Sequence, residues 1–331
     1  MRRLFALISL LMLPALTPAM ELKISTLYPD GTSAVNALRE AGEQIKQQTD
    51  GRVSLRIYPG GVMGDDRAVQ RRIRIGQLHG ALAQGGAFAR FYTDSQVLNL
   101  PLVFRSLDEV DHVRETLDPL IRDGFREKGW EVFGPADGGF AYVMSVNPVA
   151  TVDDLREQKV WLPSNDPAGA TAARIFGVSP VVLDVGAVLT SLQTGVIDTF
   201  VAPPVAALTL QWYGRVNHLT EVPLLYTYGM LGIAGQHFAR LNEADQQTVR
   251  TILDETFAKM DRREREGNLQ AYQAVTGQNL EVVTPTDEQM AEWRAYAEKA
   301  TARLVEQGEV SQEMVDRIHA LLEEYRAGNG E

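Results

Sequence analysis

The sequence predicts an α/β protein of two lobes of similar construction, with one long helix spanning both. Three observations carry that expectation. Strand-like and helix-like segments alternate at short intervals through residue 140, the same rhythm starts afresh after it, and Asn242 to Gln278 contains no proline and, before Gly277 at its very end, one glycine, Gly267. Alternation of this kind argues for parallel strands covered by helices. A helix of about 36 residues rises about 54 Å, longer than one lobe is wide.

Taken in order, Glu21 to Leu27 reads as a strand, and Thr32 to Gln48 carries Val35, Leu38, Ala41 and Ile45 at helical spacing. Asp50-Gly51 stops that helix, Val53 to Tyr58 alternates as a strand, and Pro59-Gly60-Gly61 turns the chain. A helix begins at Asp65, Gly80 to Gln84 is a short buried strand, and Leu107 to Lys128 is a helix with Val110, Val113, Leu117, Leu120 and Phe125 on its apolar face. Trp130 to Phe133 follows as a strand. In the second unit Ala141 to Val146, Lys159 to Leu162, Val178 to Leu183 and Val196 to Val201 are strands. Pro167 to Phe176, closed by Gly177, and Val185 to Thr194, closed by Gly195, are helices. Asn242 is placed to cap the long helix, with Asp245 three residues on. A Thr-x-x-Gln capping box opens Thr286 to Gln307, and Ser311 to Ala327 is the last helix.

Arg2 and Arg3 precede an apolar run from Leu4 to Leu13, then Pro14 and a small-residue exit ending at Ala19. This reads as a cleavable secretory signal over residues 1–19, too short to span a bilayer, which needs about 20 apolar residues. The expected product is exported and soluble, in a bacterial periplasm. The whole chain has 43 acidic and 32 basic residues, a formal charge of −11; without Arg2 and Arg3, 30 basic residues remain and the charge is −13. Such a chain repels nucleic acid and anionic membranes. The absence of cysteine excludes disulfides, thiolate metal sites and a cysteine nucleophile.

Catalytic signatures are absent: there is no phosphate-binding glycine loop, no Gly-x-Ser-x-Gly and no His-Glu-x-x-His. The five histidines, His79, His112, His218, His237 and His319, share no ligand spacing and read as structural or surface residues. Asp65-Asp66 and Asp153-Asp154 sit where helices start, the ordinary place for acidic side chains. The basic run Arg67, Arg71, Arg72 and Arg74 reads as the solvated face of an amphipathic helix. Phe88, Phe91, Tyr92, Phe140, Tyr142, Trp161, Phe200, Trp212 and Tyr213 fall near strand ends and turns, where ligands of open α/β sheets settle. No cofactor and no enzymatic activity are expected.

Several runs together resemble the extracytoplasmic solute-binding proteins of tripartite ATP-independent periplasmic (TRAP) transporters, the DctP-like family. They are Gly51-Arg52-Val53, Tyr58-Pro59-Gly60-Gly61 with Gly64-Asp65-Asp66-Arg67, Leu100-Pro101-Leu102-Val103-Phe104, Asp154-Leu155 with Lys159-Val160-Trp161-Leu162-Pro163, and Leu192-Gln193-Thr194-Gly195-Val196-Ile197-Asp198. Each is weak alone; their order and spacing cover the chain from about residue 21 to about 325. The resemblance implies a periplasmic binding protein fold, with residues 20–140 and about 224–260 in the first lobe and 141–223 and about 261–331 in the second. It also implies a monomer that captures a small organic solute in a cleft and delivers it to a permease of small and large membrane subunits.

Such proteins usually carry a carboxylate-binding arginine at the position of Trp161, a second arginine at that of Ala141, and an Asn at that of Ala202. Charged residues are common where this chain has Gln84 and Ala87. A desolvated carboxylate without a cationic partner is strongly disfavoured. The expected cleft therefore takes a neutral, aromatic or cationic solute, lined by Trp161, Tyr142, Gln84, Phe88, Phe200, Tyr28 and Tyr213, with Asp184 as partner for an amine. A carboxylate ligand held by another arginine or by the helix N-terminus at Asp166-Pro167 is the alternative. A sensing module for a membrane receptor is another.

Overall fold

The computed structural model describes residues 19–164, 166–278 and 280–329, and the expected signal segment lies outside them apart from Ala19. In chain order the elements are β1 (Met20–Thr26), α1 (Ser33–Gln48), β2 (Val53–Tyr58), α2 (Asp66–Arg74), β3 (Gly80–Gln84), α3 (Leu107–Glu127) and β4 (Trp130–Ser145). Then come α4 (Val152–Arg156), β5 (Trp161–Pro163), α5 (Pro167–Phe176), β6 (Val181–Leu183), α6 (Val188–Thr194), β7 (Thr199–Ala202), α7 (Pro204–Thr209) and β8 (His218–Ala234). The chain closes with α8 (Gly235–Phe238), α9 (Glu243–Gln278), β9 (Glu281–Val283), α10 (Asp287–Glu306) and α11 (Gln312–Asn329).

Local chemistry sets most boundaries where the sequence places them. Asp65 caps α2 by accepting the Ala68 N–H (2.7 Å), and Asn242 caps α9 by accepting that of Asp245 (2.8 Å). Thr286 and Gln289 form the capping box of α10, and Gly177 closes α5 in the left-handed conformation (φ 76°) that glycine adopts without strain.

The central sheet runs β2-β1-β3-β8-β4-β7, with β9 on β8. Its first half pairs β1 with β2 and β3 in parallel and β3 with the end of β8. Its second half pairs the end of β4 with β7 and the start of β8, and a Val160–Thr199 bridge joins the parallel pair β5-β6 to it. Two hydrophobic cores flank each half.

β4 and β8 thus cross from one lobe to the other. The sequence expectation split β4 at Gly134 and passed over β8. Gly134-Pro135 and Gly138-Gly139 look like turns, yet β4 runs through them with its register to β8 broken on either side of Ala136-Asp137. β8 alternates only at its start and then becomes apolar throughout, the signature of a strand covered on both faces rather than of an amphipathic element.

α9 packs through Val249, Leu253, Phe257 and Met260 in a first-lobe core and through Val275 in a second-lobe core, so it spans both lobes as its length implied. The last helix departs from the expected division. Met314, Val315, Ile318 and Leu322 of α11 lie in a first-lobe core, and the Ser311 N–H is accepted by Asp94 (2.6 Å), so α11 belongs with the first lobe rather than with 261–331 as one block.

His79 and His237 pack with ring centroids 4.3 Å apart and planes tilted by 31°, both buried. His79 Nδ1 accepts the Lys23 N–H (3.3 Å), while neither ring nitrogen of His237 has a hydrogen-bond partner within the described protein. Burial, then His237, Lys23 and Arg240, lower the His79 pKa; burial and then Arg240 lower that of His237. A histidine whose folded pKa is depressed contributes stability that is complete above the ordinary value of about 6.5 and is lost as pH falls below it. The unfolding temperature should therefore fall between pH 7.5 and 5, and His237→Phe should flatten that fall in a circular-dichroism melting series. An unchanged slope would show that the pair does not set it.

Candidate functional site

On the first-lobe side the site is built at the ends of parallel strands. Tyr28 follows β1 and Gln84 ends β3, whose Nε2 donates to the Tyr28 hydroxyl (3.2 Å). Gly229 of β8 lets that phenol lie against the sheet, since a Cβ there would stand 3.2 Å from its oxygen. Burial, then the Glu264 carboxylate and, more weakly, Asp66, push the Tyr28 pKa up to about 12. Asp66, the first residue of α2, is itself pushed up to about 6, first by burial and then by Asp65.

The junction between the lobes is lined by α9. Glu264, Asn268 and Tyr272 recur every four residues and share one face of the helix, about 6 Å apart. Asn268 is 9% exposed and packs against the backbone of Gly139, where φ is 78° and a Cβ would approach Asn268 to within 2.6 Å. Its Nδ2 donates to the Glu264 carbonyl (3.0 Å), which leaves Oδ1 as the free end. Both Asn268 Oδ1 and Glu264 Oε1 are buried acceptors with no donor among the described residues. Leaving such an atom unpaired costs about 1–3 kcal/mol.

In the second lobe Tyr142 of β4 meets Tyr272 with ring centroids 5.3 Å apart. The Tyr272 hydroxyl donates to Glu221 Oε1 (3.2 Å), and the Thr284 hydroxyl donates to Oε2 (2.9 Å). Burial and then Glu221 push both tyrosines up to about 12. These pairs place carboxylates and phenols on both sides of the junction.

Three expected lining residues turn out to be core. Phe200 is 0% exposed and packs edge-on against Trp212 (5.3 Å), and Phe88 is 3% exposed and packs edge-on against Phe125 (5.8 Å). Trp161 is 7% exposed, lies edge-on to Trp212 (5.1 Å) and donates from Nε1 to the Leu183 carbonyl (2.9 Å). Its one polar atom is thus engaged by the last residue of β6, and its ring packs in the second-lobe core. Tyr213 is half-buried beside this cluster, and Asp184 is exposed, accepting the Ser164 hydroxyl.

The suggested anion site at α5 is already taken. Asp166 Oδ1 accepts the Gly169 N–H (2.8 Å), so the helix start carries its own carboxylate. Near the junction, Arg114 is committed to Asp118 (3.1 Å) and Asp261 (2.8 Å), and Arg265 to Asp111 (2.5 Å) and Asp137 (3.1 Å). Sequence reasoning missed Glu264, Asn268 and Tyr272 because α9 reads as a strut. The available signal was their four-residue spacing on a helix expected to touch both lobes. Asp66 was passed over as a helix-start acid, a role that its neighbour Asp65 fills.

The model of the family described as bacterial extracellular solute-binding protein, family 7, matches residues 24–307. The sialic acid-binding periplasmic protein SiaP of Vibrio cholerae is 21% identical over 74% of this chain and 76% of its own. The ectoine-binding periplasmic protein TeaA of Halomonas elongata is 24% identical over 81% of this chain and 80% of its own. A TRAP periplasmic solute-binding protein from Haemophilus influenzae, solved with bound L-gulonate, superposes with a TM-score of 0.82 at 16% identity, over 91% of this chain and 99% of that one.

Proposed function

Because the chain belongs to the bacterial extracellular solute-binding proteins, family 7, we propose that it captures a small organic solute bearing N–H donors or a cationic group between its lobes. The loaded protein hands that solute, in the periplasm, to a TRAP permease of small and large membrane subunits. A solute that touches both lobes only when they are closed shifts the equilibrium towards the closed form, whereas one bound equally in both states shifts nothing. The protein supplies binding and no catalysis.

The observation that carries the solute class is the pair of buried acceptors on α9, Glu264 Oε1 and Asn268 Oδ1, without donors of their own. Burial of an acceptor is offset when a partner arrives with an N–H. Tyr28, Tyr142, Tyr213 and Tyr272 supply aromatic faces suited to a cation. TeaA, named for ectoine, gives the reading a precedent among relatives; SiaP and the L-gulonate complex stand for the carboxylate alternative. The carboxylate alternative is weakened by the engaged guanidinium groups of Arg114 and Arg265 and by the self-capped start of α5.

A melting-temperature screen of the purified chain tests the choice. Glycine betaine, ectoine, agmatine and arginine are set against succinate, gluconate and glucuronate, each in millimolar excess. A ligand at 100 times its Kd stabilises by about 2.7 kcal/mol, so a rise of several degrees is expected from a nitrogen-bearing solute and none from the simple acids. Because burial and then Asp65 push the Asp66 pKa up to about 6, the affinity for a cation should weaken as pH falls from 7 to 5. Tight, salt-sensitive binding of succinate or gluconate with no response to the amines would overturn the proposal.

A further inference from the structure

Where β4 passes between the lobes, helices replace the sheet as the support of its backbone. The ladder to β8 is broken between Phe133 and Ala136 and again between Asp137 and Gly139. Backbone polar groups that lose ladder partners must find others. Here Arg114 of α3 donates from Nη2 to the Pro135 carbonyl (2.9 Å), the Asp137 N–H is accepted by Asp261 of α9 (2.7 Å), and the Gly139 N–H is accepted by Asp137 Oδ1 (2.7 Å). Asp137 Oδ2 accepts from Arg265 Nη2 (3.1 Å) and from the Tyr226 hydroxyl (3.3 Å). Arg265 also makes a two-pronged pair with Asp111 of α3 (2.5 and 2.7 Å).

One guanidinium therefore ties α3, α9 and the interrupted stretch of β4 together. The Asp137 side chain is 0% exposed, whereas that of Arg265 is 27% exposed. The buried carboxylate depends on its partners, so replacing the partly exposed arginine leaves no core cavity but costs stability by stranding that charge. Domain closure is absorbed by a few residues between rigid bodies, and in this stretch Gly134, Pro135 and Gly138 have no partner in the ladder.

We propose that Arg265 is a positioning residue that fixes the resting separation of the lobes by holding this stretch of β4 to α3 and α9. It acts on solute capture through the closure equilibrium, without touching the solute. The proposal needs only that the chain is a two-lobe receptor, so it stands apart from the chemistry of the ligand.

The chain has no cysteine, so Glu43→Cys on α1 and Glu288→Cys on α10 can carry spin labels, one on each lobe. Pulsed electron spin resonance of the solute-free protein then reads the interlobe distance directly. Arg265→Gln is expected to shift or broaden the distance distribution and to speed amide exchange at Asp137 and Gly139 by roughly tenfold, the scale of a lost charge-assisted hydrogen bond. Arg265→Lys, which keeps the charge but not the fork, should fall between Arg265→Gln and the parent.

Arg250→Gln is the control for plain loss of stability. Arg250 pairs with Glu131 through two bonds (2.9 and 3.0 Å) inside the first lobe, and its loss should lower the melting temperature while leaving the distribution in place. An unchanged distribution in Arg265→Gln, with or without lost stability, overturns the proposal. An equal change in Arg250→Gln overturns it as well.

Discussion

Replacing Trp161 by arginine is expected to destabilise the second lobe without giving the protein a carboxylate site. The indole sits in a core with Trp212 and Phe200, and its Nε1 already serves the Leu183 carbonyl. A guanidinium at this position would meet aromatic edges in place of water or a carboxylate, and an unpaired buried charge is among the costliest changes a core can receive. Trp161→Ala removes the same packing without adding charge, at about 3–5 kcal/mol. With about 2–4 °C per kcal/mol for a chain of a few hundred residues, the melting temperature should fall by roughly 6–20 °C. Arginine should cost at least as much and phenylalanine less. Thermal melts of the three variants, with and without succinate, measure both points. A stable Trp161→Arg protein that gains a succinate-dependent shift would mean that the indole faces the cleft after all.

Glu264→Gln is expected to separate binding from stability in the opposite direction. Glu264 Oε1 is buried with no donor in the described protein. Exchanging the carboxylate for an amide should leave the solute-free melting temperature unchanged or slightly higher. Affinity for a cationic solute should drop by roughly 10- to 150-fold, the equivalent of one charge-assisted hydrogen bond. Calorimetric titration with the best amine of the screen gives the Kd, and a melt gives the stability. A stability loss with unchanged affinity would assign Glu264 to the fold alone. Gains of stability on removing a functional group are a known mark of binding sites.

Much of the scaffold was legible because its boundaries depend on local chemistry. Asp65, Thr151, Asn242 and Thr286 cap helices through bonds within three residues, and such bonds are written in the sequence. Proline-free length was enough to call for a helix that spans both lobes. The continuity of β4 was not legible, since Gly134-Pro135 signals a turn in isolation and only pairing with β8 carries the strand through. The family resemblance drew attention to Gln84 and the clustering of aromatics near strand ends to Tyr142, but neither could say that Trp161 would be buried in a core. That depends on Trp212, 51 residues away, and on the Leu183 carbonyl. The row Glu264, Asn268 and Tyr272 was hidden for a similar reason: nothing local distinguishes a helix face against solvent from one against the junction of two lobes.

The return of α11 to the first lobe has a consequence for how the molecule responds to heat and to cargo. The chain passes between the lobes along β4, β8, α9 and the segment joining α10 to α11. Bodies joined by a single tether rotate freely about it and can melt one at a time. Four separate passages remove most of that freedom and leave few relative motions available. Fewer modes mean that less disorder is surrendered when a solute fixes the two halves together. They also mean that neither half can lose its structure without pulling apart strands that belong to the other.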